Sequence, residues 1–332
     1  MSDFKMPKYM SNYKEELRRV GFELEFSNIQ MQEILNLLKQ TYSLKEKKIN
    51  NFFYKLESNY GDFVLELDFE LLTKQKLKTN ALEFFDKVGI DINETKLDEI
   101  ENILGTISKD LVPYEISTPP IPLDKIELID ELSKKLTQAG AHGTQKKVYN
   151  AFGLHINVEL SSLEVTSILN HLQAYVILQD FLNKDAKVDI ARKITPYIDN
   201  FPKEYIIKIL QEDYKPTMEE LIQDYLKFNP TRNRSLDMLP IFAYINEKQV
   251  RKILPKEKIK PRPAFHYRLS NSLIGQKNWK ISQEWNRWLI VEKLANNHND
   301  LKYLSKQYLA HLDKLVSLKK WDEKVSKWVK NQ

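Results

Sequence analysis

The stretch GFELEFS (Gly21–Ser27) alternates large apolar and acidic residues without a break. Side chains two apart on a strand share a face, so Phe22, Leu24 and Phe26 point one way and Glu23 and Glu25 the other. A helix would scatter both sets around its circumference. The stretch therefore reads as a strand with one face for a core and one acidic face. The rest of the chain is read by looking for its partners.

Working outward, YNAFGLHINVEL (Tyr149–Leu160) sets Leu154, Ile156 and Val158 against His155, Asn157 and Glu159. AFHYRL (Ala264–Leu269) sets Phe265, Tyr267 and Leu269 against His266 and Arg268. Phe63–Leu72 places Phe63, Leu65, Leu67, Phe69 and Leu71 opposite Glu66, Asp68 and Glu70, and Asn51–Glu57 precedes it across a Gly61-Asp62 turn, which predicts a hairpin. Val112–Thr118 carries Glu115 and Ser117 on one face and stops at Pro119-Pro120, because proline cannot donate to a ladder. Helical spacing marks Ile29–Leu44, Lys74–Val88, Leu97–Ser108, Asp124–Gln138 and Ser161 to about Leu182, then most of the chain to Leu254 apart from the loop Asn229–Pro240. Pro255–Pro263 is a Lys- and Pro-rich connector in which Lys256–Arg262 reads as a charged linker rather than as a flexible lid reaching a bound nucleotide, and Asn278–Ala295 and Asp300–Lys330 are helical again. Strands and helices are mixed without regular βαβ units, which predicts an α+β fold: an antiparallel sheet with helices packed on its apolar face.

Composition narrows the chemistry. The 332 residues include no Cys, which excludes a disulfide framework, a thiol nucleophile and an iron–sulfur cluster. The eight glycines form neither a P-loop nor a dinucleotide fingerprint, so a bound nucleotide would be held by cations, carboxylates and Arg rather than by a glycine cradle. No apolar run approaches the ~18 residues of a membrane helix. MSDFKMPK lacks the layout of a signal peptide, and a cytoplasmic location is the expectation. The net charge of +5 is local: Leu301–Gln332 holds eight Lys against three acidic residues, and the remainder balances. A neutral body with a basic tail is weak support for a nucleic-acid binder, which would carry its charge on the main docking face.

The polar strand faces carry the functional reading. One side of an antiparallel sheet often meets water, but such faces mix Lys, Thr and Ser with their acids. These rows hold Glu, Asp, His, Asn and Arg, and no Lys. Glu23 and Glu25 stand about 6–7 Å apart along their strand. With Asp68, Glu115 and His155 from other strands they could form a shared acidic floor for Mg²⁺ or Mn²⁺. Arg232, Arg234 and Arg268 would supply positive charge for a phosphoryl group.

Six segments in order resemble the amidoligases, ATP-dependent carboxylate–amine ligases related in fold to glutamine synthetase and glutamate–cysteine ligase. They are GFELEF, the Asp68 strand, YEISTPPIP (with Glu115, Ser117 and Pro119), GLHINV, TRNRSLDMLP, and FHYRLSNS followed by EWNRWLIVEKL, together spanning Val20 to Ala295. The resemblance implies a curved sheet whose concave face binds ATP and two or so divalent ions, with Glu23, Glu25, Asp68, Glu115 and His155 as metal ligands. It implies an acid phosphorylated to an acyl phosphate, which an amine attacks to give an amide. Arg268 would sit on the γ-phosphate, Arg232 and Arg234 on phosphate or acid, and His266, Asn157 and Ser117 would line the nucleotide site. Three positions depart from the family pattern: His266 replaces a Glu, Asp237 stands where Asn is common, and Asp68 is followed by Phe69-Glu70.

The expected organisation is a catalytic domain over residues 1–298, with a mainly helical insertion at about 161–255, and a basic amphipathic helix over 299–332. The expected partners are a carboxylate and an amine, with neither membrane nor nucleic acid; oligomeric state is open. Two other readings compete, a metal-dependent nucleotidyltransferase or nuclease and a non-catalytic protein-binding scaffold. The five Trp, all in the last 54 residues, read as packing rather than as a stacking platform.

Overall fold

A computed structural model describes residues 3–68, 112–144, 152–186, 199–313 and 321–331. The helices expected at Lys74–Val88 and Leu97–Ser108, residues 69–72 and 149–151 of the expected strands, and residues 187–198 and 314–320 of the expected helical stretches lie outside the described residues.

The nine described strands form one antiparallel sheet. In chain order they are β1 (Arg19–Phe26), β2 (Lys45–Asn50), β3 (Phe53–Ser58), β4 (Gly61–Leu67), β5 (Tyr114–Ser117), β6 (Ile121–Pro122), β7 (Gly153–Glu159), β8 (Leu236–Asp237) and β9 (Ala264–Asn271). Across the curved sheet the order is β2-β3-β4-β5-β1-β7-β9-β8, with β6 paired to the start of β1. β1 thus lies inside the sheet, between β5 and β7.

The described helices are α1 (Met31–Tyr42), α2 (Leu128–Gln138), α3 (Val165–Asp185), α4 (Lys203–Leu210), α5 (Met218–Phe228), α6 (Leu239–Ile253), α7 (Ile281–Ala295), α8 (His298–Leu312) and α9 (Trp321–Lys330). They cover the apolar rows, where Phe22, Leu24, Phe26, Phe63, Leu65, Leu154, Ile156 and Val158 are wholly buried. On β4, Tyr42 of α1 stacks on Phe63 at 5.0 Å. On β9, His171 of α3 stacks on Phe265 at 4.8 Å, and Trp288 of α7 lies 5.2 Å from Phe265 and 5.5 Å from Tyr267. Trp285 and Trp288 are fully buried, as their i, i+3 spacing requires. In the basic C-terminal stretch Leu301, Leu304 and Tyr308 are buried, and Trp321 Nε1 donates to the Ile177 carbonyl of α3 at 2.7 Å.

Three elements depart from expectation. β2 (KEKKIN) is a strand although none of its residues is buried, so it has no apolar alternation to reveal it. β8 has two residues, too short to show a period. The β3–β4 reversal falls at Asn59-Tyr60 rather than Gly61-Asp62; Gly61 opens β4 with φ +120°, a conformation that suits glycine.

A glycine also closes the sheet against the loop that follows β9. Gly143 N donates to the Ile274 carbonyl at 2.8 Å, and a Cβ on Gly143 would lie 2.2 Å from the Ser272 oxygen and 2.7 Å from the Ile274 nitrogen. These are backbone atoms and cannot rotate away. Gly143→Ala is expected to cost at least about 1–3 kcal/mol, read from the midpoint of a urea melt.

Candidate active site

The register of the sheet assembles the polar residues into rungs. Ser117, Glu23 and His155 stand abreast on β5, β1 and β7. Glu66, Glu115 and Glu25 stand abreast on β4, β5 and β1. Gly21, Asn157, His266 and Asp237 continue the pattern across β1, β7, β9 and β8. Directly opposed side chains on one face lie about 5 Å apart, so segments far apart in the chain become neighbours.

Glu23 is the hub. One of its oxygens accepts from His155 Nδ1 at 2.8 Å and faces His266 Nε2 at 3.6 Å; the other accepts from Asn157 Nδ2 at 2.8 Å. Glu25 accepts from the Gly153 backbone N–H at 2.6 Å, and its second oxygen lies 3.6 Å from His155 Nε2. Ser117 donates to Glu115 at 2.8 Å. The two imidazoles meet edge to face at 5.4 Å. Two ligand sets emerge, Glu23/His155/His266 and Glu25/Asp68/Glu115, each able to present one donor atom per residue within 4.8 Å of the others.

The charge in this cluster is unbalanced. Burial, reinforced by Glu23, Glu25, Asp68 and Glu66, holds the Glu115 carboxyl well above the usual carboxylate range. Burial also pushes Glu66 up. Burial opposes ionisation of Glu23 too, but His266 and His155 outweigh it and hold its carboxyl well below the ordinary value. Burial lowers His155, favouring the neutral imidazole that a metal needs. A carboxyl pushed up by burial and by adjacent carboxylates is relieved by a divalent cation, and the donor sets suit one.

The arginines separate. Arg268 donates to the Arg232 carbonyl at 2.7 Å, and Arg232 Nε lies 4.0 Å from Asp237, itself in contact with His266. Both guanidinium groups therefore border the cluster. Arg234 faces elsewhere: it donates to Asn229 at 2.9 Å, lies 3.8 Å from Asp199 and sits over the Phe201 ring at 5.9 Å. Its described contacts hold the loop that carries Arg232.

Sequence reasoning passed over Arg262. It lies in the stretch read as a charged linker, yet its guanidinium makes bonds of 3.1 and 2.5 Å to Asn157 Oδ1 and lies 3.9 Å from Glu23. The signal was available. Arg262 shares the even parity of His266 and Arg268, and the prolines on either side enforce the extended backbone that continues it.

A family model described as "putative amidoligase enzyme" matches residues 16–290. The chain belongs to the amidoligase family. No curated protein and no solved structure matches it. The match spans β1 to β9 and most of α7, and so covers every residue of this amidoligase's candidate site. No described helix is long and apolar enough to cross a membrane.

Proposed function

We propose that this amidoligase joins a carboxylic acid to an amine at the expense of ATP, through an acyl phosphate. The observation that carries the reading is the convergence on Glu23: acids, two imidazoles and three guanidinium groups from separate strands and loops meet on one sheet face. An acid oxygen attacks the γ-phosphorus as the bond to the β-phosphate oxygen breaks and ADP leaves. The amine nitrogen then attacks the acyl carbon, the C–O bond to phosphate breaks, and the nitrogen's proton passes to solvent.

Both reactants of the first step are anions, so the work is alignment and neutralisation. Divalent cations on Glu23, Glu25, Asp68, Glu115 and His155 would supply charge against the phosphate oxygens. Arg268 holds the transferring phosphoryl, and Arg232 and Arg262 orient the acid, forks suited to paired oxygens. Asn157 fixes both Glu23 and Arg262 through its amide. In this reading Asp237 and Glu159 serve the frame of the site. Asp237 is buried on His266 and the Leu239 N–H, and Glu159 accepts from Asn12 and the Arg19 N–H.

The test is ADP release over a panel of acids and amines with Mg²⁺ and with Mn²⁺, with hydroxylamine as a trap. The expected result is ADP and phosphate formed only when an acid is present, and a hydroxamate in the trap. Release of pyrophosphate, or no ADP from any pair, overturns the reading.

A further inference from the structure

We infer that Glu23, His155 and His266 form a nitrogen-rich cation site that takes a first-row transition ion (Mn²⁺, Fe²⁺, Co²⁺ or Zn²⁺) in preference to Mg²⁺. The inference concerns the same site as the ligase reading and refines its cation requirement, but its own observations are geometric.

The first is an unsatisfied atom. His266 is 2% exposed, and its Nε2 has no hydrogen-bond partner among the described residues. A buried ring nitrogen left without a partner loses free energy relative to water, unless something binds there. It faces the Glu23 oxygen at 3.6 Å, the same oxygen that accepts from His155 Nδ1. A ring nitrogen and a carboxylate oxygen thus converge beside His155 Nδ1, whose hydrogen a bound cation would displace.

The second is how the ring is held. His266 Nδ1 donates to Asp237 at 3.2 Å, and Asp237 is fully buried with its other oxygen taken by the Leu239 N–H at 3.0 Å. A carboxylate only accepts, so a hydrogen belongs on Nδ1; Nε2 is then the nitrogen turned toward Glu23, and a cation bound there would displace any hydrogen it carries and take its lone pair. Carboxylate–histidine–metal relays in metalloproteins are built this way. In a ring serving only to pack, neither the buried carboxylate behind it nor the bare nitrogen in front would be needed.

The third is the chemistry of the donors. Two imidazole nitrogens and one carboxylate oxygen suit ions well along the first-row affinity order, whereas Mg²⁺ prefers an all-oxygen shell and keeps much of its water. The neighbouring Glu25/Asp68/Glu115 set has no nitrogen at all, so the contrast is built into adjacent rungs.

The experiment uses the full chain labelled with ¹⁵N-histidine. On titration with ZnCl₂, the imidazole nitrogen signals of His155 and His266 are expected to shift together, with the chain's other four histidines unmoved. MgCl₂ is expected to leave both in place. Calorimetry should rank Zn²⁺ and Co²⁺ far above Mg²⁺, and His266→Glu should weaken Zn²⁺ and Co²⁺ by roughly 10–100-fold while keeping Mg²⁺. Should the variant not fold, the spectra of the unaltered chain decide. Silent imidazoles at saturating Zn²⁺, or Mg²⁺ bound as tightly as Zn²⁺, would overturn the inference. The two readings fail separately: shifted imidazoles without ADP release sink the ligase, and ADP release with silent imidazoles sinks this site.

Discussion

Replacing Glu23 and Glu25 together by Gln is expected to remove ATP turnover while leaving the protein folded. The two side chains lie on the polar face of β1, and the packing of that strand comes from Val20, Phe22, Leu24 and Phe26 on the other. Gln keeps an oxygen to accept from Asn157 and Gly153, so those two hydrogen bonds survive while the bond from His155 Nδ1 to Glu23 loses its acceptor. What goes is negative charge that two cations would share, and ADP release should fall by at least about 10²-fold. Stability should change little, since the attraction of Glu23 to its imidazoles is lost while repulsion between carboxylates is relieved. Two of the four neighbours that help hold Glu115 up would disappear, so its carboxyl should titrate lower than in the parent. Circular dichroism and a thermal melt check the fold, and ADP release checks the chemistry. A folded variant that turns over normally removes these carboxylates from the site.

The largest loss of stability is expected from Arg18→Met. Arg18 immediately precedes β1 and is almost wholly buried; it grips Glu292 of α7 with two bonds, of 2.6 and 3.2 Å. It also donates to the carbonyls of Glu159 and Tyr9, tying sheet, N-terminal segment and α7 at one point. Removing the cation strands a carboxylate whose remaining side-chain hydrogen bond among the described residues comes from Trp288 Nε1 at 2.9 Å. Breaking a buried pair in this way costs about 3–5 kcal/mol.

The sign of the pH dependence follows. Burial works against the charged form of Glu292, but Arg18 outweighs it and the carboxyl is held below its ordinary value of 4.5. In the parent this contribution is complete above that ordinary value and is lost as pH falls through the lower, folded one. In the variant burial is opposed only by the weaker effects of His171 and the Trp288 bond, the carboxyl rises, and acid relieves the penalty by protonating it. The gap between parent and Arg18→Met in urea melts should therefore be widest near neutral pH and narrow toward about pH 4. Adding Glu292→Leu should recover much of the loss at neutral pH. A gap that widens in acid would refute the assignment.

Which parts of this were legible in advance depends on what each segment packs against. β1, β4, β7 and β9 each press one face into the helices and turn the other toward the site, and that alternation is written in their residues. β2 has no buried residue, so nothing in KEKKIN separates a strand from a loop. The acids and histidines of the site were readable for the same reason as their strands. Their juxtaposition was not, because a slip of one residue in any pair would turn a whole row to the opposite face. His155 meets Glu23, and Glu115 meets Glu25, only through registers that the folded sheet selects. Arg262 and Arg234 mark the same boundary: each lies in an irregular stretch, where the direction of a side chain depends on contacts far away in sequence.

The two rims of the sheet bear on how the molecule behaves among its own copies. An open rim of unpaired amide and carbonyl groups invites another chain to add a strand, the first step toward fibrils. Among the described strands one rim is β2, which sets Lys45, Lys47 and Lys48 in solvent, and the other is β8, two residues long. A like-charged border repels an approaching twin, and a two-residue border gives it almost nothing to zip onto. Colloidal restraint is thus inscribed in the strand that contributes least to the interior.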